Sequence, residues 1–236
     1  MKQPPRHVAV IMDGNGRWAA SRAAMRIEGP RAGAKKVLEL VEWCKESGVE
    51  FLTLYAFSTE NWKRSSEEVD GLMKLMELLL RTKTGHFVKS DVRIRVIGRK
   101  SDLSESLQKQ IARTEKRTAL CSSLNLQVAV SYGGRAEIAD AVERFAKDVR
   151  DGLMDASAVL DDDVFRKYLY APDVPDPDLI IRTSGEFRLS NFLLWESAYS
   201  ELWMTDVLWP DFGKKDFQAA LESFSGRNRR MGGRPR

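Results

Sequence analysis

Six short apolar runs, separated by longer stretches of helical rhythm, constrain the fold of this chain more than any other feature. The runs cover residues 7–12, 51–57, 92–97, 126–131 and 179–182, with a shorter one over 202–205. Each is rich in β-branched or aromatic residues and too short for a helix, which marks it as a strand. Between them, apolar residues recur at helical spacing over 30–47, 67–83, 103–120, 136–148 and 162–168, and a last helix is expected over 214–223. Such alternation predicts an α/β fold with one mainly parallel central β-sheet flanked by helices. At 236 residues the chain suits a single domain spanning 1–236, and the proline-rich stretch 172–177 feeds a strand and links no domains.

In a sheet of this kind ligands bind beyond the carboxyl ends of the strands. The first strand runs into Met12-Asp13-Gly14-Asn15-Gly16-Arg17-Trp18. Two glycines there let backbone N–H groups approach a phosphate, a helix start follows, and Arg17 adds a permanent cation. Asp13 would repel a phosphate unless a cation lay between them, which points to Mg²⁺; a plain turn uses the same residue types, and both readings stand. The second strand ends at Ser58-Thr59-Glu60-Asn61-Trp62-Lys63-Arg64, the fourth at Ser131-Tyr132-Gly133-Gly134-Arg135, and the fifth at Arg182-Thr183-Ser184-Gly185-Glu186. Four carboxyl ends thus carry glycine, hydroxyl, amide or arginine, the groups that recognise phosphate.

Other phosphate chemistries are excluded by what is missing. There is no G-x-x-x-x-G-K-[ST] loop. Gly14-x-Gly16-x-x-Ala19 fits the looser dinucleotide fingerprint, but Arg17 and Trp18 are bulky for that turn and Glu39 falls inside a helix. With only His7 and His86, a multi-histidine zinc site is ruled out, and Cys44 and Cys121 form no motif and suggest a reducing compartment. No signal peptide or membrane span is expected. The net charge of +4 comes from the tail 227–236, whose five arginines, once removed, leave the rest at −1. A solvated basic end, a lipid contact and a nucleic-acid contact all suit such a tail; the last has no basic groove or motif behind it, and no nucleic-acid partner is expected.

The stretches DGNGRW, LTLYAFSTENWKR, VSYGGR, DLIIRTSGEFRLSNFLLW and AYSELWMTDVLWPDF, in this order, closely resemble the cis-prenyltransferases, with the bacterial undecaprenyl diphosphate synthases nearest. The resemblance implies an enzyme that condenses isopentenyl diphosphate onto an allylic, farnesyl-like diphosphate primer to give a Z-polyprenyl diphosphate. It implies that Gly14, Asn15, Gly16, Arg17, Trp18 and Arg26 hold the primer diphosphate. Arg182, Arg188, Leu189 and Ser190 would take isopentenyl diphosphate. Asp13 and Glu201 would hold Mg²⁺, and Asp13 and Asn61 would serve the chemistry. Ser58, Thr59, Glu60, Trp62 and Arg64 would belong to a turn closing over the reacting groups. Pro30 stands where the family has a histidine, and Arg31 is expected to compensate.

The resemblance further implies a hydrophobic tunnel between sheet and helices, lined by 67–83, whose apolar residues ordinary core packing also explains. A homodimer is implied, with Arg230-Met231-Gly232 matching a C-terminal RxG motif. Trp203, Trp209 and Phe212 are expected at an interface or in the core. A cytoplasmic protein with transient membrane-surface contact for product release completes the expectation. The alternative is a non-catalytic subunit of the same fold, disfavoured because Asp13, Asn61 and the arginines are all kept.

Overall fold

The computed structural model describes residues 3–155, 157 and 160–229. In chain order the elements are β1 (His7–Ile11), α1 (Asn15–Ser21), α2 (Glu28–Glu46), β2 (Phe51–Ser58), α3 (Ser66–Lys89), β3 (Val92–Ile97), α4 (Glu105–Thr118), β4 (Leu124–Tyr132), α5 (Gly134–Arg150), α6 (Asp162–Arg166), β5 (Leu179–Arg182), β6 (Glu201–Met204) and α7 (Lys214–Gly226). All six strands are parallel, in the order β3-β4-β2-β1-β5-β6. Every carboxyl end therefore lies on one edge. β1 and β5 are neighbours whose chains leave in opposite directions along the sheet, which makes the crevice between them the switch point where α/β sheets bind ligands.

β1 reads as an unbroken apolar run because both of its faces are covered and all five residues are buried. Its alternate residues divide between two cores. Val8 and Val10 face α2 and α7 through Leu40, Val41, Cys44, Phe217 and Ala220, while Ala9 and Ile11 face Ile180, Tyr132 and Phe192. α3 and α4 pack on the first of these faces through Val69, Leu80, Leu107 and Ile111. α3 runs to Lys89, six residues past the expected end, because Thr84 and Phe87 stay buried on either side of Gly85. Trp209 and Phe212 lie in the core and Trp203 packs against it, so the core reading holds for these aromatics. His7 is buried too. Its Nδ1 meets the Pro175 carbonyl at 2.6 Å, its Nε2 meets Thr53 Oγ1 at 2.8 Å, and burial pushes its pKa down to about 4, so it is a neutral structural imidazole.

Behind the carboxyl end of β4 two acids share a buried site. Glu137 accepts the Tyr132 hydroxyl and the Tyr170 N–H (2.8 Å), while no donor reaches buried Glu196 Oε2. Burial, and then the charge of Glu137, push the Glu196 carboxyl well above its ordinary range, so it holds a proton and can donate to Glu137. The unfolded chain would have released that proton at neutral pH. Folding thus takes up a proton, and this contribution to stability falls as pH rises from the usual carboxylate range through neutrality. Glu196→Gln removes the dependence: its melting temperature should exceed that of the parent at about pH 8, the gain vanishing toward about pH 5. A lower melting temperature at the alkaline end would mean that Glu196 is ionised in the folded chain.

Candidate active site

At the end of β1 the chain turns through Gly14, whose φ of +100° and lack of room for a Cβ beside Leu208 and Ser184 both require glycine. The N–H groups of Asn15, Gly16 and Arg17 open α1 and have no acceptor within the helix. Asn15 is fixed from behind. Its Nδ2 donates to the Met12 carbonyl at 3.1 Å, and α2 presses on it through Gly29 and Gly33, where a Cβ would overlap Asn15 itself. Trp209 closes this junction by donating from its ring to the Gly33 carbonyl (3.0 Å) and from its backbone to the Asp13 carbonyl (3.0 Å).

Asp13 and Arg182 meet across the switch point. Asp13 Oδ1 accepts the Gly14 N–H at 2.7 Å, and Oδ2 accepts Arg182 Nη2 at 2.9 Å. Arg182, only 3% exposed, also donates to the Arg188 carbonyl and to Ser190 Oγ (2.7 Å), and its buried Nε has no partner. Its guanidinium is therefore a tie between the Asp13 turn and the Ser190 loop. Arg188 is exposed and pairs only with Glu186, 2.6 Å away, on the rim of the crevice. Leu189 packs its side chain against the Phe192 core.

The remaining cations ring the same edge. Arg17 reaches the Ser184 hydroxyl and lies 3.6 Å from Glu186. Arg26 and Arg64 share one acid, Glu68, at 3.1 and 2.9 Å, so Glu68 ties the α1–α2 segment to the start of α3. Trp18 turns its ring N–H to Asp211 (2.7 Å) under the Arg22 guanidinium, which makes it part of the scaffold of α1. Pro30 is the third residue of α2, where its missing N–H costs no hydrogen bond. Arg31, expected to compensate for the family histidine, is exposed and pairs with Glu28, 2.6 Å away on its own helix.

The turn after β2 is a 3₁₀ segment, Thr59–Lys63, held by Asn61, whose Oδ1 accepts the Ser58 N–H at 3.2 Å. Trp62 donates to Ser131 Oγ at 2.8 Å and packs edge-on against Phe57. Burial pushes the Glu60 carboxyl up, but its own N–H, the Asn191 amide and the Ser58 and Thr59 hydroxyls outweigh that and hold it below its ordinary value. The glycines after β4 are not a phosphate cradle. The opening N–H groups of α5, at Gly134 and Arg135, donate to the Asn191 carbonyl (2.7 Å) and Oδ1 (2.9 Å).

Glu201 departs from expectation. It begins β6 beside Leu179, whereas Asp13 lies beyond the Ile11–Arg182 pair at the far end of the neighbouring strands. Five residues of extended chain, about 16 Å, separate the two levels. Glu201 pairs instead with Arg227 at 2.6 Å, and Arg229 pairs with Asp178 at 2.5 Å, so the start of the basic tail is fastened to the amino edge of the sheet. Arg230-Met231-Gly232 lies outside the described residues. Among those described, no group of three or more acids, histidines and cysteines could hold a metal.

One carboxylate, Asp13, is left on this edge for the expected ion, and its two oxygens accept the Gly14 N–H and Arg182. Asp13 is half-exposed on the crevice side, and a hard divalent cation needs only one or two carboxylates when substrate phosphates supply the rest. On α3, the helix expected to line a tunnel, Leu72, Met73, Leu75, Met76 and Leu79 are half-buried. A cavity of about 380 Å³ lies elsewhere, along β3 beside Arg93, Arg95, Lys100, Glu115 and Tyr170.

Three comparisons bear on this edge. Residues 11–232 match the family model Prenyltransf, described as "Putative undecaprenyl diphosphate synthase". An isoprenyl transferase of Thermotoga maritima is 52% identical over 229 residues, 97% of each chain. A tritrans,polycis-undecaprenyl-diphosphate synthase (geranylgeranyl-diphosphate specific) of Pyrococcus horikoshii is 48% identical over 97% of this chain and 87% of its own. Among solved structures, lavandulyl diphosphate synthase from Lavandula x intermedia, in complex with dimethylallyl diphosphate, superposes with a TM-score of 0.92 at 36% identity, covering 96% of this chain and 97% of that one.

Proposed function

The chain belongs to the undecaprenyl diphosphate synthase family and is a cis-prenyltransferase that makes a polyprenyl diphosphate from prenyl diphosphates, and from that premise we propose how its residues divide the work. One observation carries the assignment: Arg182 joins the Asp13 turn to the Ser190 loop, and Arg17 and Arg188 both reach Glu186 beside it. The family pattern divides this run of cations between two diphosphates, Arg17 and Arg26 for the primer and Arg188 for isopentenyl diphosphate.

The primer diphosphate sits against the N–H groups of Asn15, Gly16 and Arg17, with Arg17 and Arg26 turning from their acid partners toward it. Isopentenyl diphosphate takes Arg188 and Ser190. When the allylic C–O bond breaks, charge gathers on the departing diphosphate, and donors already in place cost no reorganisation. Asp13, with phosphate oxygens, would hold Mg²⁺, which when bound supplies further neutralisation of that leaving charge. The isopentenyl double bond attacks the allylic carbon and a proton leaves. Asn61, whose amide oxygen is committed to Ser58, positions its turn and is not the base. The growing chain lies between α2 and α3, along the half-buried methionines and leucines.

β6 is an edge strand exposing Leu202, beside exposed Tyr199, and a homodimer formed there would cover both. The partner's tail would then leave from the amino edge. No helix among the described residues is long and apolar enough to cross a membrane; a transient surface contact would release the product. Product sizing after incubation with Mg²⁺, isopentenyl diphosphate and allylic primers of several lengths tests the reaction. The two places are separated by Arg188→Ala. Losing a charge-assisted contact of about 1.5–3 kcal/mol should raise the KM for isopentenyl diphosphate about tenfold or more and leave that of the primer nearly unchanged. Equal losses for both substrates would mean the places are exchanged or shared.

A further inference from the structure

Between the arginines and the 3₁₀ turn stands Asn191, a residue that the diphosphate contacts above do not use. It lies in a stretch where Ser190, Asn191 and Leu193 all have positive φ, at 49°, 66° and 44°. Such backbone is strained for residues other than glycine and persists only where its surroundings hold it. The hold is visible on every polar atom of the side chain. Asn191 Nδ2 donates to Glu60 Oε1 at 2.8 Å, and Oδ1 accepts the Arg135 N–H at 2.9 Å. The Asn191 carbonyl takes the Gly134 N–H at 2.7 Å. Gly133 makes room for it, since a Cβ there would come within 2.6 Å of Asn191 Nδ2 and 2.7 Å of Thr59 Oγ1.

Three chain segments that carry the site therefore meet on one amide: the 3₁₀ turn, the start of α5 and the Ser190 loop. Among the described side-chain hydrogen bonds, Asn191 to Glu60 is the one that joins the 3₁₀ turn to the loop bearing Arg188 and Ser190. We propose that Asn191 is a positioning residue for the condensation, setting the distance between the 3₁₀ turn and the isopentenyl diphosphate place through its bond to Glu60. This rests on the reading that Arg188 and Ser190 hold isopentenyl diphosphate. The two ends of the amide do different work: Oδ1 caps α5, and Nδ2 sets the turn.

Asn191→Asp separates these ends, because an aspartate keeps the acceptor for Arg135 and puts a second carboxylate against Glu60. N191D should lose about tenfold to a hundredfold in kcat/KM for isopentenyl diphosphate. The KM for the primer should stay within about twofold, and the melting temperature should remain near that of the parent. Combined with Glu60→Gln, whose amide can donate to the new aspartate, N191D should retain about tenfold more activity than the product of the two single losses. That comparison holds even if Glu60 itself touches substrate. A double variant equal to the product of the singles, or N191D with parental kinetics, would overturn the proposal. If N191D folds poorly, Asn191→Gly, which accepts the left-handed backbone, enters the same cycle with Glu60→Ala. Should the cycle prove additive while Arg188→Ala still raises the isopentenyl KM, the positioning role alone has failed. Should Arg188→Ala leave that KM unchanged, the substrate assignment beneath it has failed.

Discussion

Asp13→Ala is expected to lower kcat by about a hundredfold to a thousandfold or more, with a smaller change in primer KM, because the carboxylate serves the leaving charge more than the bound ground state. The ion pair adds a second consequence. Removing Asp13 leaves Arg182, 3% exposed, without its counter-ion. Breaking a buried pair costs about 3–5 kcal/mol, and the partial exposure of Asp13 places this case below that range. Activity loss in the alanine variant therefore mixes chemistry with a loosened Ser190 loop. Asp13→Asn keeps the shape and removes the charge: its one amide oxygen can accept either the Gly14 N–H or Arg182 Nη2, not both, so part of the tie survives. It should melt between the alanine variant and the parent and remain as inactive as the alanine variant across a Mg²⁺ titration. Parental turnover by Asp13→Asn at saturating Mg²⁺ would remove the carboxylate, and the ion it is assigned, from the mechanism.

The same pair shows how far the sequence reaches. β1 and β5 were legible because strands covered on both faces read as unbroken apolar runs, and the carboxyl-edge rule then placed Asp13 and Arg182 together. What the residue types conceal is how Arg182 spends its donors. An arginine after a strand looks like a phosphate ligand whether it faces solvent or, as here, is consumed by Asp13, Ser190 and the Arg188 carbonyl. Glu201 was legible in principle: a parallel strand expected over 202–205 begins at the amino edge, so a residue just before it lies far from Asp13, but the motif match outweighed that geometry. Pro30 is legible as a first-turn residue from proline's own backbone, whereas the direction Arg31 takes, toward Glu28, is set by side-chain packing that sequence does not show. Asn191 stands inside the RLSNFLLW stretch, yet its role, like those of Glu68 and Glu137, is hidden because partners come from segments distant in sequence.

Gly29→Ala should be the most damaging small substitution outside the groups that meet substrate. By helix propensity alone it should help, since alanine is favoured over glycine by about 1 kcal/mol within a helix. The contact decides otherwise. A methyl group at residue 29 would overlap the Asn15 carbonyl oxygen, and a backbone atom cannot rotate out of the way as a side chain can. α2 must therefore back away from the Gly14–Asn15–Gly16 turn. Gly33, one turn further on, has Trp209 Cδ1 2.7 Å from its own missing Cβ and allows no compensating tilt in that direction. Overpacking of this kind costs about 1–3 kcal/mol. The functional loss should be larger, because the N–H groups displaced are those assigned to the primer diphosphate, and a shift of about 1 Å in a positioned group can cost about a hundredfold in rate. Gly85→Ala in α3 supplies the control. Nothing lies within 4 Å of its Cβ position, so the same exchange there should stabilise by about 0.4–1 kcal/mol and leave kinetics alone. Melting temperatures and primer kcat/KM for the two variants check the argument together. If Gly29→Ala matched Gly85→Ala in both, α2 would not press on the diphosphate turn, and the rigidity assigned to that turn would have no source.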